Sequence, residues 1–362
     1  MKLELNLDMF TAKSPPMLGL DIGSNSIKLV ELSEAGKGQY RVERYIIEPL
    51  PKDAVKEGEV ANAEQVAEAL QSAWKQMDTR VKNVVMALPS SAVITKKILL
   101  PASLTGTELE NQVETEANQV IPFPLDEVNL DFQVLGPSAG SPNDMEVLLA
   151  AARKEKVEDR VALAEAAGLK ALVMDVESYA TLSAYERMAN LLPEGGADQI
   201  VAIFDIGANS IHINVLSDNE PVYLREHGFG GSQLNYDISR RYGMTTEEAE
   251  AAKRRGTLPE TYEVEVLRPY SETLAMEIGR ALQLFTSSTQ YHKVDHVLLA
   301  GGGAIIPGLD EVVGARIGIP TLVANPFSSM SAGAKIRPQQ LANDAPALFV
   351  ACGLAMRRFD QQ

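Results

Sequence analysis

Two stretches of the chain carry one pattern of apolar and polar positions. Leu18–Leu32, LGLDIGSNSIKLVEL, and Ala202–Leu216, AIFDIGANSIHINVL, each run aliphatic residues into an Asp-Ile-Gly step, cross a small polar turn and resume an alternating strand. Aligned on the aspartate, both read Asp-Ile-Gly-(Ser/Ala)-Asn-Ser-Ile, so each predicts a strand, a turn and a second strand. One copy alone is an ordinary hairpin. A second copy in the other half of the chain predicts two related domains with a ligand crevice between them.

The intervening patterns fill in the elements. After the first hairpin, Tyr40–Pro49 is a third strand, and Ala63–Met77 places Val66, Ala67, Leu70, Ala73, Trp74 and Met77 on one helical face. Val84–Leu88 is a short apolar strand. Residues 93–170 read as an insertion: an alternating strand at Ile94–Leu100, an acidic helix at Thr107–Val120, a strand from Val128 and a polar hairpin loop at Gly136–Asn143. A returning strand at Val147–Ala152 and a helix from Lys154, stopped by Gly168, complete it. Ala171–Val176 is a strand running into the helix Ser178–Asn190.

In the second half, Val222–Arg225 is a third strand, and a Gly-rich turn leads into the helix Gln233–Tyr242. Thr245–Arg255 is a helix with acidic residues early and basic residues late. Leu267–Gln290 is a long helix, His296–Ala300 an apolar strand before Gly301-Gly302-Gly303, and Pro320–Val323 a further strand. Lys335–Pro346 reads as loop, and Ala347–Arg358 as a closing apolar helix. Ahead of everything, Leu3, Leu5 and Leu7 alternate with polar residues in a leader that Ser14-Pro15-Pro16 separates from the first hairpin.

Composition narrows the function classes. With 362 residues, 45% hydrophobic and 23% charged, the chain has material for two cores. A net charge of −16 argues against a nucleic-acid partner, whose phosphates demand clustered Lys and Arg. A lone cysteine, Cys352, excludes an internal disulfide, and its apolar neighbours mark it as core. The four histidines show no metal-binding spacing. No stretch reaches membrane-spanning length and the amino terminus lacks a signal-peptide core, so the cytoplasm is the expected compartment, without direct membrane insertion.

Candidate chemistry concentrates at the hairpins. Asp21 and Asp205 each end a strand beside a Gly turn, where a carboxylate can face hydrated magnesium while turn amides and hydroxyls donate to phosphate oxygens. Glu177 sits where a strand enters a helix between the hairpins and can orient water; as a lone feature it is a helix-terminus carboxylate favoured by the macrodipole. Glu250 and Lys253 are three apart on one face, within reach of a ribose or simply an ion pair. The three glycines at 301–303 allow flat backbone packing on a ring or phosphate, but match neither Gly-x-Gly-x-x-Gly nor the Walker motif.

In their order along the chain, the two Asp-Ile-Gly hairpins, the Asp-Val-Glu-Ser-Tyr-Ala junction, the Gly-Gly-Ser step and the Ala-Gly-Gly-Gly strand end resemble the actin-like ATPase superfamily. YRVERYIIEPLP, ENQVETEANQVIPFPLDEVNLDFQVLG, LLAAARKEKVEDR, PTLVANPF and DAPALFVACGLAMRRFD further resemble the PilM family of type IV pilus biogenesis, relatives of the division protein FtsA. The resemblance covers nearly everything from Met17 onward. It implies an α/β actin-like fold of two duplicated domains with an FtsA-like inserted α+β subdomain. The implied division is a leader 1–16, a first domain from 17–92 and 171–197 around an insertion 93–170, and a second from 198–230 and 276–344 around a small subdomain 231–275. A helix in 345–362 returns to the first domain.

The resemblance also implies ATP and Mg2+ as ligands, with Asp21 and Asp205 near the metal and Glu177 and Asp205 in catalytic positions. Gly23, Ser24, Asn25, Ser26 and Lys28, with Gly207, Ala208, Asn209 and Ser210, would hold phosphates. Gly230, Gly231, Glu250, Lys253, Gly301, Gly302 and Gly303 would surround the nucleoside. Two departures weigh against rapid hydrolysis: Ala208, Asn209 and Ser210 replace a hairpin commonly richer in Gly and Thr, and Ser178 follows Glu177 where Pro is common. The implied partner is the cytoplasmic amino-terminal tail of the inner-membrane protein PilN, held between the first domain and the insertion, together with other pilus assembly proteins. That would place the chain at the inner membrane through a protein contact. Three functions compete at this point: an assembly platform tuned by nucleotide, a filament former that self-associates through the insertion, and a small-metabolite kinase on the same core.

Overall fold

The computed structural model describes residues 15–36, 38–56, 58–138 and 140–360; the alternation at Leu3, Leu5 and Leu7 lies outside them. The first hairpin joins β1 (Leu18–Ile22) to β2 (Ser26–Gly36), which continues into β3 (Gln39–Pro49). A small hairpin, β4 (Val55–Lys56) and β5 (Glu59–Val60), precedes α1 (Ala63–Met77). Asn62 caps α1 by accepting from the Gln65 N–H, and Asp78 ends it in the left-handed region. Then β6 (Asn83–Leu88) lies parallel to β1.

A separate three-stranded sheet follows, built from β7 (Val93–Pro101), β8 (Val128–Ser138) and β9 (Ser141–Arg153), with β9 in the middle. One face is covered by α2 (Gly106–Val120), whose Leu109, Val113 and Ala117 meet Leu100, Val147 and Leu149. The polar stretch expected as a loop at Gly136–Asn143 is mostly strand. Pairing continues to Ser138 opposite Ser141, because ladder hydrogen bonds extend a hairpin whatever its side chains. α3 (Lys154–Ala166) leads back to β10 (Lys170–Val176), parallel to β6, and α4 (Glu177–Glu186) starts directly from its end.

The second half repeats the first. β11 (Ile200–Ile206), β12 (Ile211–Ser217) and β13 (Glu220–His227) form the antiparallel meander, α5 (Gly231–Tyr242) and α6 (Thr246–Arg255) follow, and a π-helical turn at Glu263–Leu267 leads into α7 (Arg268–Ser288). β14 (His296–Ala300) is parallel to β11, α8 (Leu309–Ile317) crosses over, and β15 (Thr321–Val323) pairs with β14. The sheet order β13-β12-β11-β14-β15 is therefore that of β3-β2-β1-β6-β10, to which β16 (Ser331–Ala332) adds an edge beside β3. α9 (Pro338–Asp344) is a helix where loop was expected, with proline in its first turn and Leu341 buried. α10 (Phe349–Met356) closes the chain.

Alternation along each strand feeds both faces of its sheet. Leu18, Leu20, Ile27 and Leu29 pack on α1 and α3, whereas Val30, Leu32 and Val42 pack on α9 and α10. In the repeat, Phe204, Ile211 and Ile213 face α7 and α8, while Val201, Ile203 and Leu298 face α4 residues Ala184 and Tyr185 and Phe349 of α10. Thus α4 and α10 link the two sheets. Their spacing depends on Gly353, where a Cβ would lie 1.8 Å from the Ala180 carbonyl oxygen. Both hairpin turns and the start of α4 consequently point into one crevice.

Candidate functional site

The two hairpins are matched jaws. The first turn is closed by the Gly23 N–H donating to the Ser26 carbonyl at 3.1 Å, the second by Gly207 donating to Ser210 at 2.9 Å. Register places Lys28 across from Asp21 and His212 across from Asp205. Lys28 Nζ lies 2.9 Å from Asp21 Oδ2, and the His212 Nε2 lies 3.3 Å from Ser210 Oγ. One jaw thus carries a fixed cation and the other an imidazole.

Glu177, the first residue of α4, enters between the jaws. Burial pushes its carboxyl up to about 7; His212 and Arg160 oppose that shift, while Asp21 and Asp205 reinforce it. Burial likewise raises Asp205, against the pull of His212 and Lys28. For Lys28, burial works against the charge, but Asp21, with Asp205 and Glu177 behind it, holds the ammonium above its ordinary value. Three carboxylates gather around the Lys28 ammonium, which leaves a negatively charged floor suited to a cation carried by an anionic ligand.

The far wall is glycine. Gly301 adopts φ +83°, and a Cβ there would sit 2.3 Å from Asp205 Oδ1, so the backbone lies flat against the carboxylate. Its N–H donates to the Pro346 carbonyl at 2.8 Å, tying this loop to the segment before α10. Toward the other end, Glu250 is held by Lys253 and Arg254, each at 2.7 Å, and accepts from Asn235 at 2.7 Å. Its burial would raise the carboxyl, but Lys253 and Arg254 outweigh that and bring it down to about 2.

The crevice has a volume of about 1520 Å³ and gathers nearly all the residues singled out from sequence: Asp21, Gly23–Ser26, Lys28, Glu177, Asp205, Gly207–Ser210, Gly231, Glu250, Lys253 and Gly301–Gly303. Gly230 is absent from its wall. It serves from behind, where a Cβ would come within 2.5 Å of the Ala208 carbonyl oxygen, so that Gly231 and Ser232 can donate to Gly207 and Ala208 at 3.0 and 2.8 Å. Residues that sequence reasoning passed over also line it, notably His212, Tyr262 and Tyr270. Alignment of the two hairpins matches His212 with Lys28 and holds the signal for it; the tyrosines have none beyond helical spacing.

Among the described residues no group of three or more His, Cys, Asp or Glu is arranged to hold a metal ion. Asp21 and Asp205 present carboxylates of the kind that could hold the waters of a hydrated Mg2+ whose remaining ligands came from phosphate.

A second cavity, about 410 Å³, lies between α1, the β4–β5 hairpin and α3. Lys156 of α3 reaches Glu59 at 2.6 Å across it, and the largely buried Arg160 donates to the Gly58 carbonyl at 2.9 Å. Gly58 and Pro89 line both cavities.

Two sheets of identical strand order, facing each other across a crevice floored by paired Asp-Ile-Gly hairpins, define an actin-like fold. A solved chain of ethanolamine utilization protein EutJ from Carboxydothermus hydrogenoformans shares that fold, at 15% identity and TM-score 0.54, covering 97% of this chain and 93% of that one. Residues 19–359 match the family described as type IV pilus assembly protein PilM, and the chain belongs to that family. It is also similar to a chain of the PilM-PilN type IV pilus biogenesis complex, at 30% identity and TM-score 0.77, covering 96% of this chain and 100% of that one. Among the described residues no helix is long and apolar enough to cross a membrane.

Proposed function

We propose that this protein is a nucleotide-binding assembly platform of the type IV pilus machinery, which binds Mg-ATP in the large crevice and the amino-terminal tail of PilN in the smaller groove. The observation that carries this reading is the shared wall: Gly58 and Pro89 belong to both cavities, so an occupant of one bears on the shape of the other. The jaws supply what a triphosphate needs, with the turn backbone at Ser24–Asn25 and Ala208–Asn209, hydroxyls at Ser24, Ser26 and Ser210, and Lys28 as point charge. A bound Mg2+ would screen the phosphate charge and offset the carboxylate floor. Glu177, with a carboxyl at about 7, can hold or release a proton near neutral pH at the position where an attacking water would sit.

The groove reading draws on likeness to the PilM-PilN complex and on its location between the first sheet and the α3 segment of residues 93–170, which we take as an inserted partner-binding module. Calorimetry on the full chain tests it with two ligands, Mg-ATP and a peptide of the PilN tail. Asp21→Ala should lose ATP and keep the peptide; Ala162→Trp, which fills the groove from an exposed helical position, should do the reverse. If Ala162→Trp binds the peptide as the wild type does, the groove is wrongly assigned.

A second reading, self-association through the three-stranded sheet, is favoured by the exposed Leu99, Val134 and Leu135 on its two outer strands. Sedimentation with Mg-ATP, with and without the PilN peptide, separates polymer from heterocomplex.

A further inference from the structure

At the end of the crevice away from Glu177 one polar group is left over. Tyr270 is 2% exposed, and its hydroxyl has no hydrogen-bond partner among the described residues. Leaving a buried hydroxyl unpaired is destabilising, so it needs an explanation. Its neighbours offer none: Asn235, Glu250 and Lys253 satisfy one another, with Lys253 donating to Asn235 Oδ1 at 2.7 Å and pairing with Glu250 at 2.7 Å.

Three features hold the ring in place. Phe229 stacks on it at 5.7 Å and 20°, Pro269 sets the first turn of α7 just before it, and the π-helical turn at Glu263–Leu267 rotates the chain between Tyr262 and Tyr270. Both tyrosines line the crevice, and π turns recur at ligand sites because the extra residue re-aims side chains. Leu234 and Leu267 complete an apolar surround. Burial, with Asp237 and Tyr262 nearby, raises the hydroxyl above its ordinary value and keeps its proton on.

We propose that Tyr270 is a base-reading residue: its hydroxyl hydrogen-bonds the polar edge of the nucleobase, whose faces lie against Tyr262, Leu234 and Leu267. This rests on the crevice being a nucleotide site. A phenol both donates and accepts, so it pairs with a base edge that sets a ring-nitrogen acceptor beside an exocyclic amine, as adenine does. The triphosphate stays with the hairpins, and the base is recognised by a group that the apo protein leaves unsatisfied.

Calorimetry of the full chain and of Tyr270→Phe with Mg-ATP, Mg-GTP and magnesium tripolyphosphate tests this, alongside thermal melting without ligand. The variant should bind ATP roughly tenfold more weakly, hold tripolyphosphate as the wild type does, and melt no lower, since the lost hydroxyl has no protein partner. Undiminished ATP affinity, an equal loss for tripolyphosphate, or a lower ligand-free melting temperature each overturns the assignment. Wild type that binds tripolyphosphate as tightly as ATP and GTP overturns it while keeping the crevice as a polyphosphate site. Wild type that binds none of the three overturns the nucleotide reading, and this one with it.

Discussion

Lys28 Nζ sits 2.9 Å from Asp21 Oδ2 as its cross-strand partner, and the same register in the repeat sets His212 opposite Asp205. The duplication has been kept in backbone and changed in charge. Lys28 and Asp21 are 15% and 12% exposed, so removing one partner strands a charge in a largely dry site. Lys28→Met should cost about 3 kcal/mol in urea unfolding at pH 7.5. The double variant Lys28→Met, Asp21→Asn should recover a large part of that, because the carboxylate that Lys28 pairs with directly is removed along with it. Equal stability of single and double variants would mean the pair is not coupled.

Glu177 makes stability depend on pH with a definite sign. Its carboxyl is near 4.5 in the unfolded chain and about 7 in the fold, so between those values the folded state binds more protons. Stability should therefore fall as pH rises from about 4.5 to about 7, by an amount on the order of 3 kcal/mol in the limit. Glu177→Gln should flatten this slope without ligand. Added Mg2+ should stabilise the wild type more at pH 8 than at pH 5.5, since it favours the ionised carboxylates. Melting curves across pH with both proteins check this, and an unchanged slope in the variant would assign the effect to another group.

Gly301 and Gly302 should separate cleanly on substitution. Gly301 has φ +83°, and a Cβ would press on Asp205 Oδ1, which lines the crevice, and on the backbone of the buried Ile206 behind it. Gly301→Ala should cost at least about 2 kcal/mol and abolish Mg-ATP binding by displacing Asp205. At Gly302 a Cβ meets nothing within 4 Å, so Gly302→Ala should fold normally. Urea unfolding of the pair checks it, and equal losses at both positions would point to a flexibility requirement in place of a steric one.

These contrasts also mark what was readable in the amino-acid sequence. The hairpins at Leu18 and Ala202 were legible because period-two alternation and the Asp-Ile-Gly turn occur twice, and their repeat implied the sheets that follow. α9 was not, because Pro338 and Pro346 punctuate PQQLAND and Leu341 is its one buried side chain. The ends of β8 and β9 were hidden for another reason: Gly136–Asn143 has no apolar pattern, and backbone pairing alone carries the strands through it. Most candidate site residues were found from turns, whose chemistry is local. Tyr270 could not be, since a tyrosine in an amphipathic helix reads as core until its hydroxyl is seen to lack a partner.

Lys52 and Glu247 join the two halves at the surface. Lys52, in the segment after β3, places Nζ 2.8 Å from Glu247 Oε1 and 3.4 Å from Thr246 Oγ1 at the start of α6. With side chains 64% and 56% exposed, the pair adds little to stability, and thermal melting of Lys52→Glu should match the wild type. Its effect belongs to opening: α6 also carries Glu250 and Lys253 of the crevice wall, so releasing this strap lets that wall swing from the first sheet. Nucleotide dissociation, followed by stopped flow with a fluorescent ATP analogue, should speed up severalfold in Lys52→Glu. The charge-swapped double variant Lys52→Glu, Glu247→Lys should restore the slow rate at low salt, and raising salt toward 1 M should erase the differences among all three proteins. Dissociation rates that do not respond to the swap would show that the halves are held together by α4 and α10 alone.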